Sequence, residues 1–298
     1  MMSVGYGTGS LLLATLLYGF VGILSRILGF QLPLYFQTWT RDAAVVMVFL
    51  LIICVKKQTI KFKIKDWPIF LIRGTCNLLS IVAIYISFNF LQISTAYFVF
   101  YVASTVSGYF IGWRLFKEKI DRIKIGSLSL SFVGLYLIFR FAIPQDKEVY
   151  LLYALLSGIA TGVWNTFSKK VSQDYSLEQI NFLDNLIAAC IAFLISLFLQ
   201  ERWSVPSVSA PWIANTILGA IWVGTGYLIV YGFKRVDAAV GSVIMLAEIL
   251  FGSLYSVFFF QEFPQRTALA GGALILLAII LPIFPQFGKK EFKKTHEK

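Results

Sequence analysis

Histidine and cysteine are scarce in this sequence. The one histidine, His296, lies near the C-terminal end, and the three cysteines, Cys54, Cys76 and Cys190, stand at unrelated spacings. Zinc sites and disulfide frameworks need cysteine or histidine at short, regular spacings, so neither is expected, and the cysteines are interpreted as small packing residues. A single terminal histidine also argues against histidine acid–base catalysis. We therefore expect no metal, no cofactor and no enzyme activity.

Charged residues are scarce as well. They make up 14% of the 298 residues, while hydrophobic residues make up 58%; a soluble domain has about a quarter charged residues. The apolar residues form ten blocks of about twenty residues, long enough to cross a hydrocarbon core ~30 Å thick. In lipid such blocks form helices, because every backbone polar group must be satisfied internally. The predicted fold class is therefore an all-α polytopic membrane protein with ten transmembrane helices. The blocks are approximately 9–28, 33–55, 68–90, 93–115, 122–141, 150–170, 179–199, 211–233, 238–260 and 265–286.

Basic residues concentrate in alternate loops. Clusters at 56–65, 114–124, 169–170, 234–235 and 289–298 follow the even-numbered blocks, and the intervening loops hold few lysines or arginines. Cytoplasmic loops carry this excess of basic residues, so the pattern predicts ten spans with both termini inside. It also accounts for the net charge of +11 without a nucleic-acid partner. Because the N-terminal segment lacks a basic region and a convincing cleavage site, the first block is interpreted as an uncleaved helix.

The second half of the sequence repeats a pattern of small, acidic and basic residues found in the first half. When 103–139 is aligned with 247–283, a small residue within a helix is followed by a glutamate, then an arginine four positions later, then a new helix. Each half contains five blocks, an odd number, so the second half would enter the membrane inverted. Inverted repeats are typical of secondary transporters that bind substrate near the midplane. The predicted domains are a first repeat at 1–143, a second repeat at 144–288 and a basic cytoplasmic tail at 289–298. The aligned pairs are Ala103 and Ala247, Gly108 and Gly252, Glu118 and Glu262, and Arg122 and Arg266.

Three segments resemble a known family. "FKEKIDRIKIGSLSLSFVGLYLI" (116–138), "LAEILFGSLYSVFFFQEFPQRTALAGGALILLAII" (246–280) and "FQTWTRDAA" (36–44) are similar to the EamA-type members of the drug/metabolite transporter superfamily. The resemblance implies a multi-pass transporter of the cytoplasmic membrane that most often exports amino acids or related compounds. The sequence departs from the family in the ninth helix, where Glu-Pro is common. Here Glu248 is followed by Ile249, so the usual cause of a kink is missing.

Ionisable residues within spans are costly and are functional by default. Glu248 lies about 15 Å into the ninth block at 1.5 Å per residue, near the midplane. It would carry a proton or face a substrate ammonium, and the alternative is a buried packing partner for Arg41. Arg41 is interpreted as structural, and Asp42 as a candidate for the substrate path. Asp184 is expected near water at the cytoplasmic end of its span.

Polar and aromatic side chains supply the other substrate-binding candidates. A small-molecule pocket is mostly apolar with a few placed polar groups, and the resemblance implies a cavity built partly on helices three and six. The candidates are Tyr18, Asn77, Tyr101, Trp164, Asn165 and Trp222. Any of these rings could instead pack in the core or at the membrane interface.

The duplicated glutamates and glycines are interpreted as structural. Glu118 and Glu262 are expected to bond the amides at the start of the next helix, where the helix dipole favours an anion. Gly108 and Gly252 are expected to allow close helix packing.

The leading functional hypothesis is a secondary transporter that works by alternating access at a midplane site. Its partners would be the lipid bilayer, a small-molecule substrate and, through Glu248, protons; facilitated diffusion is an equal alternative. The chain is expected to be a monomer or a weak homodimer. The other hypotheses are an exchanger of a larger charged metabolite such as a nucleotide-linked compound, a membrane enzyme and a non-transporting receptor.

Overall fold

The computed structural model describes residues 2–28, 31–61, 63–91, 93–139, 147–261, 263 and 265–288. All regular structure within these ranges is helical. The elements are α1 (Met2–Tyr18), α2 (Val21–Leu28), α3 (Leu34–Val55), a 3₁₀ turn (Ile64–Asp66), α4 (Trp67–Phe90), α5 (Ile93–Phe116), α6 (Arg122–Phe139), α7 (Glu148–Val171), α8 (Leu177–Phe198), α9 (Ala210–Phe233), α10 (Ala238–Ile244), α11 (Ala247–Phe260) and α12 (Arg266–Gly288).

Eight helical segments of the described chain are long and apolar enough to cross a membrane. They confirm the all-helical polytopic class, whereas the number of ten spans stays a prediction. α1 is shorter, with 17 residues. α5 has 24 residues but falls outside the set, because its many serine, threonine and tyrosine residues lower its hydropathy. The eight segments are Leu34–Val55, Ile64–Ser87, Arg122–Phe139, Glu148–Val171, Leu177–Phe198, Ala210–Phe233, Ala238–Phe259 and Arg266–Ile283.

The first predicted span is interrupted. It is formed by α1 and α2, and it begins at Met2 rather than at residue 9. At the junction the amide of Phe20 bonds the carbonyl of Leu17, three residues back, at 3.2 Å. The neighbouring Gly19 lies against α11, and a Cβ on Gly19 would come within 2.9 Å of the Cβ of Phe251. Only a glycine fits this approach without moving one of the helices.

The ninth predicted span is also interrupted, at Met245 and Leu246 between α10 and α11. The amides of Leu246, Glu248 and Ile249 each bond a carbonyl three residues back, at 3.0 to 3.2 Å. A 3₁₀ stretch inside a helix often marks a functional hinge. The sequence does not predict this interruption, since neither proline nor glycine stands at the junction.

Four helix ends of the described chain carry a non-glycine residue with positive φ, which is an uncommon conformation. Lys57 and Gln200 follow α3 and α8 and stand 143 positions apart; Lys117 and Gln261 follow α5 and α11 and stand 144 apart. α3 and α8 also end in the same pair of hydrogen bonds, one spanning three residues and one spanning five, which is the Schellman motif. The bonds are Lys57 to Cys54, Gln58 to Ile53, Gln200 to Leu197 and Glu201 to Ser196.

α3 and α8 pack side by side and run antiparallel. At one end the amide of Tyr35, in the first turn of α3, bonds Glu201 beyond the end of α8 at 3.1 Å. At the other end Lys56, beyond α3, bonds Glu178 in the first turn of α8 at 2.5 Å. Two helices that occupy the same place in their respective halves therefore point in opposite directions.

α6 and α12 form a second antiparallel pair. The hydroxyl of Ser127 donates to the carbonyl of Ala278 at 2.7 Å. Seven residues along α6, a Cβ on Gly134 would come within 2.8 Å of the carbonyl oxygen of Gly271. The backbones of these two helices are therefore almost in contact. α10, every residue of which is buried, lies in the core beside them.

Candidate functional site

The described helices line a partly open cavity of about 140 Å³. Its wall takes side chains from both halves of the chain, including α1, α3, α4 and α5 and, from the second half, α7, α9, α10 and α11. Seven of the eight residues predicted to contact substrate line it, whereas Asp42 does not. The wall also includes Arg41, which the sequence analysis interprets as structural. The seven are Tyr18, Asn77, Tyr101, Trp164, Asn165, Trp222 and Glu248.

Glu248 lies in the first turn of α11, directly after the helix interruption. Tyr18, Tyr97 and Tyr101 line the same cavity as Glu248. Within the described residues Arg41 forms its ion pair with Asp42 and not with Glu248. A carboxylate in such an apolar wall requires a proton or a cationic group to balance its charge.

Arg41 and Asp42 are adjacent on α3 and both are buried, with exposed fractions of 3% and 0%. Their closest approach joins Nε of Arg41 to Oδ1 of Asp42 at 3.5 Å. The guanidinium lies over the Trp222 ring, 4.7 Å from its centroid. Trp222 in turn packs edge-on against Tyr18 at 5.8 Å. Arg41 thus sits where α3, α9 and α1 meet the cavity.

A buried ion pair supports the cavity wall from behind. Arg73 of α4 and Asp184 of α8 are both fully buried and form two parallel contacts, from Nε to Oδ1 at 3.1 Å and from Nη2 to Oδ2. Nη1 of Arg73 donates to the carbonyl of Trp164 at 2.6 Å and to the hydroxyl of Ser168 at 2.9 Å. Nε1 of Trp164 donates to Asp184 at 3.2 Å. The expectation that Asp184 lies near water is therefore wrong, because this network closes around it.

Aromatic rings and hydroxyl groups form another part of the wall. Tyr97 and Tyr101 stack with their centroids 5.5 Å apart, and Phe100 meets Tyr101 edge-on at 5.0 Å. The hydroxyls of Ser80 and Thr161 bond each other at 2.5 Å across α4 and α7. An apolar chamber with a few fixed polar groups suits a small organic molecule.

Glu118 joins the two halves at the end of the molecule where the lysines gather. Its carboxylate accepts bonds from the amides of Ala238 at 2.8 Å and Ala239 at 3.4 Å, and from Lys169 at 2.6 Å. These amides begin α10 and have no partner within that helix. The prediction that Glu118 serves the next helix is wrong, because Asp121 already accepts the amide three residues on, at 2.9 Å, at the start of α6.

Further ion pairs connect the halves at this same end. Lys124 pairs with Asp237 at 2.8 Å, and Lys56 pairs with Glu178. The hydrogen bond to Glu178 raises the pKa of Lys56, so this ammonium remains charged at neutral pH. Lys56, Lys124 and Lys169, from three of the basic clusters, thus form one ionic layer with Glu118, Glu178 and Asp237 at this end.

The two glycines predicted to be structural are packed differently. A Cβ on Gly108 would come within 2.6 Å of the Cβ of Ser242, so α5 and α10 approach closely there. A Cβ on Gly252 would meet its nearest neighbour, the carbonyl oxygen of Gly19, at 3.8 Å, which is an ordinary contact. Glu262 lies outside the described residues, and its structural role stays a prediction.

The roles of two charged residues, Arg73 and Glu201, are not predicted from the sequence. Arg73 lies five residues into the third block. The free-energy cost of placing its charge in lipid indicates that it needs a buried partner. Glu201 accepts the amides of Tyr35 at 3.1 Å and Phe36 at 2.7 Å, at the start of α3. Its partners lie more than 160 positions away in the chain, so no local pattern points to this contact.

Comparison with protein families identifies one match. The sequence model of the EamA-like transporter family matches residues 5–140 and, a second time, residues 149–284.

Individual relatives are distant. An S-adenosylmethionine uptake transporter of Rickettsia prowazekii (strain Madrid E) is 22% identical over 170 residues, covering 56% of this chain and 55% of that protein. An uncharacterized transporter of Helicobacter pylori (strain ATCC 700392 / 26695) is 21% identical over 296 residues, covering 97% of this chain and 98% of the relative. The chain thus matches only about half the length of the first of these.

One solved structure, described as a crystal structure of a protein, shares the fold. It aligns with a TM-score of 0.80 and 16% identity, covering 92% of this chain and 97% of the other. At this identity the likeness concerns the fold alone.

Proposed function

Because the chain belongs to the EamA-like transporter family, we propose that it is a secondary transporter that exports amino acids or related small metabolites across the cytoplasmic membrane. The observation that carries this proposal is the cavity. Both segments that match the family contribute to its wall, and Glu248 faces it without a cationic partner among the described residues. A cavity lined by both halves is the arrangement expected for alternating access, in which the site lies between the repeats.

The proposed architecture is ten spans in two inverted repeats, at 1–143 and 144–288, with both termini and the tail at 289–298 in the cytoplasm. Two features support the duplication: the repeat-related positive-φ residues and the matching Schellman ends of α3 and α8. The antiparallel pairs α3–α8 and α6–α12 support the inversion. Equivalent helices related by an axis along the membrane normal would run parallel instead.

Access to the site alternates through the two interrupted helices. α10 contributes Ser242 to the cavity wall, the junction contributes Met245, α11 contributes Glu248, and α1 contributes Tyr18. The ionic layer around Glu118 closes the lysine-rich end in this conformation. We propose that these ion pairs separate when the site opens toward the cytoplasm, and that the junction at Met245 and Leu246 absorbs the movement.

The cavity chemistry favours a small molecule with an ammonium group. Glu248 supplies the counter-charge, and the aromatic rings around it accept an apolar side chain or a cation. A proton is the other occupant that Glu248 accepts, so proton exchange at this residue is the proposed coupling. If an imposed pH gradient does not change the transport rate, proton coupling is contradicted and facilitated diffusion remains.

A second candidate substrate is a larger charged metabolite. The relatives named as S-adenosylmethionine uptake transporters favour it, because a sulfonium compound that carries an amino-acid group would also pair with Glu248 and the aromatic rings. We favour the amino acids over S-adenosylmethionine because a cavity of about 140 Å³ is small for a nucleoside-linked compound.

Counterflow in proteoliposomes tests the proposal. Purified protein is reconstituted, loaded with an unlabelled compound and supplied with the labelled one, using the amino acids and S-adenosylmethionine as the panel. We expect at least one amino acid to exchange. We also expect Glu248→Gln to lower that exchange about tenfold or more, since a bond to a charged group is lost.

The matched control is Asp174→Asn, which removes a carboxylate charge from an exposed ion pair outside the cavity wall and tests for a nonspecific effect of losing a charge. Absence of exchange for every compound, with protein shown to be folded, would contradict the transporter proposal. Equal exchange by wild type and Glu248→Gln would return Glu248 to a packing role.

A further inference from the structure

Three buried side chains of the cavity wall keep polar atoms without a hydrogen-bond partner among the described residues. These atoms are Nε and Nη2 of Arg41, Nδ2 of Asn77 and Oδ1 of Asn165. The exposed fractions of the three residues are 3%, 5% and 5%. Buried polar groups in native proteins are nearly always paired. Because the unpartnered atoms of these three residues line one cavity, they indicate which hydrogen-bond acceptors and donors a bound molecule would supply.

Arg41 is the strongest of these unpaired donors. Asp42 approaches it at 3.5 Å and forms no hydrogen bond with it, since both Asp42 oxygens are also unpartnered. Trp222 covers a face of the guanidinium, but the N–H groups of arginine lie in the plane of the guanidinium and point outward from its edge. The stacking therefore orients the N–H donors of Arg41 but supplies no hydrogen-bond acceptor for them.

The fork of an arginine matches the two oxygens of a carboxylate, which accepts two parallel bonds. A lysine or an amide does not present this geometry. The amide of Asn77 adds another donor to the same wall, while Asn165 offers an acceptor to an N–H or O–H group. Arg41 and Glu248 both line the cavity, so a positive and a negative residue face one chamber.

We propose that Arg41 binds the carboxylate of the transported molecule and makes the site selective for compounds that carry one. The inference deepens the proposed function and rests on it, since it names the group that selects among candidate substrates. Glu248 holds the ammonium and Arg41 holds the carboxylate, so a zwitterion satisfies both. An amine or an ester pairs only with Glu248 and leaves Nε and Nη2 of Arg41 without a hydrogen-bond acceptor.

Ligand-induced thermal stabilisation of the purified protein measures this selectivity without requiring transport. The probes are two matched series: L-phenylalanine, its methyl ester and phenethylamine; and L-methionine, its methyl ester and 3-(methylthio)propylamine. We expect each ester and amine to bind about tenfold or more weakly than the amino acid, because a hydrogen bond to a charged group is lost.

Arg41→Gln tests the residue itself. We expect the variant to bind the amino acid about as weakly as wild type binds the ester, and to bind the ester unchanged, so the preference disappears. Arg41→Lys keeps the charge without the fork and is expected to retain part of the preference. A full preference in folded Arg41→Gln would overturn the proposal.

Asn77→Asp provides a second test in a chain that keeps Arg41, should Arg41→Gln fail to fold. A new carboxylate beside the bound carboxylate is expected to weaken the amino acid more than the ester. An unchanged ratio, or a wild type that binds no member of either series, would overturn the proposal.

The outcomes separate the two proposals. Carboxylate-selective binding without exchange in proteoliposomes would contradict the transporter and leave the role of Arg41 intact. Exchange of amines and esters as readily as amino acids would support the transporter and contradict the role of Arg41.

Discussion

At the scale of single residues, the pair Arg73–Asp184 shows how charges are kept in the interior. Neither residue is exposed, and Nη1 of Arg73 has both a carbonyl and a hydroxyl acceptor. Such a pair gains little over two well-packed apolar residues, but losing one partner strands a buried charge. Because Trp164 bonds both partners, the pair also fixes one ring of the cavity wall.

We expect Asp184→Asn to lower the free energy of unfolding by about 3–5 kcal/mol, since it leaves Arg73 charged and without a counter-ion. The double variant Arg73→Met/Asp184→Leu should recover much of this loss. Thermal unfolding in detergent, arranged as a double-mutant cycle, measures both changes. The control is Lys63→Ala, which removes an exposed pair with Asp174 and should cost at most about 1 kcal/mol. Additive effects at Arg73 and Asp184 would contradict the coupling.

The residues of the cavity could be predicted better than their contacts. Scarcity of intramembrane charge singles out Glu248, and polar aromatics within apolar blocks single out Tyr101 and Trp164. The neighbour relations cannot be predicted in this way. Arg41 and Asp42 are adjacent in sequence, yet the helix turns one toward the cavity wall and the other away from it. That choice depends on how α3 is rotated against α8 and α9, which no local pattern encodes.

At the scale of helices, two helix starts are capped by carboxylates from the other half. Pro33 and Asp237 precede α3 and α10 without forming a side-chain cap. Glu201 supplies the bonds for α3, and Glu118 supplies them for α10. The free amides at a helix start must find acceptors, and in this protein the antiparallel neighbour brings them.

We expect Glu118→Gln to open the lysine-rich end, because it removes the charge that holds Lys169 and α10 together. The readout is labelling of Ser242→Cys, on the cavity wall, by a membrane-impermeant maleimide added from that side. The matched control is Glu201→Gln, which weakens a cap at the opposite end of α3 by about 0.5–2 kcal/mol. Equal labelling of Ser242→Cys in both variants would count against a gate at Glu118.

The two repeat-related glycines give a further prediction at this scale. We expect Gly108→Ala to lower the amount of folded protein and its melting temperature, because the added methyl group meets the Cβ of Ser242. Gly252→Ala is the control and should be tolerated, since its Cβ has room. Fluorescence-detected size exclusion after heating compares the two. Equal loss in both variants would mean that helix flexibility, and not this contact, explains the glycines.

The helices themselves could be predicted closely, because an apolar block in lipid has few alternatives to a helix. The ends of α3, α4 and α9 agree with the predicted blocks within a residue or two. The interruptions could not be predicted. The junction at Met245 has ordinary helix-forming residues, and its 3₁₀ bonds arise where α10 is buried on all sides.

At the scale of the whole molecule, the ionic layer gives the protein two unlike ends. Repeat-related residues should then lie on opposite sides of the membrane. Lys57 and Gln200 are exposed, carry the same backbone conformation and follow equivalent helices. They are therefore suitable markers for the orientation of each half.

We expect Lys57→Cys to be labelled only from the cytoplasmic side and Gln200→Cys only from outside. The measurement uses an impermeant maleimide on intact cells and on inverted vesicles, in a background with the three native cysteines replaced by alanine. Labelling of both residues from the same side would contradict the inverted repeat, whatever the transport assays show.

The cap on α3 also has a consequence for how the chain matures. Glu201 is synthesised 166 residues after Tyr35, which takes roughly 10–30 s at ribosomal rates of about 5–20 residues per second. During that interval the start of α3 lacks its acceptor, and water or lipid head groups must serve in its place. The start of α3, in the first half of the chain, therefore gains its acceptor only after much of the second half has been synthesised.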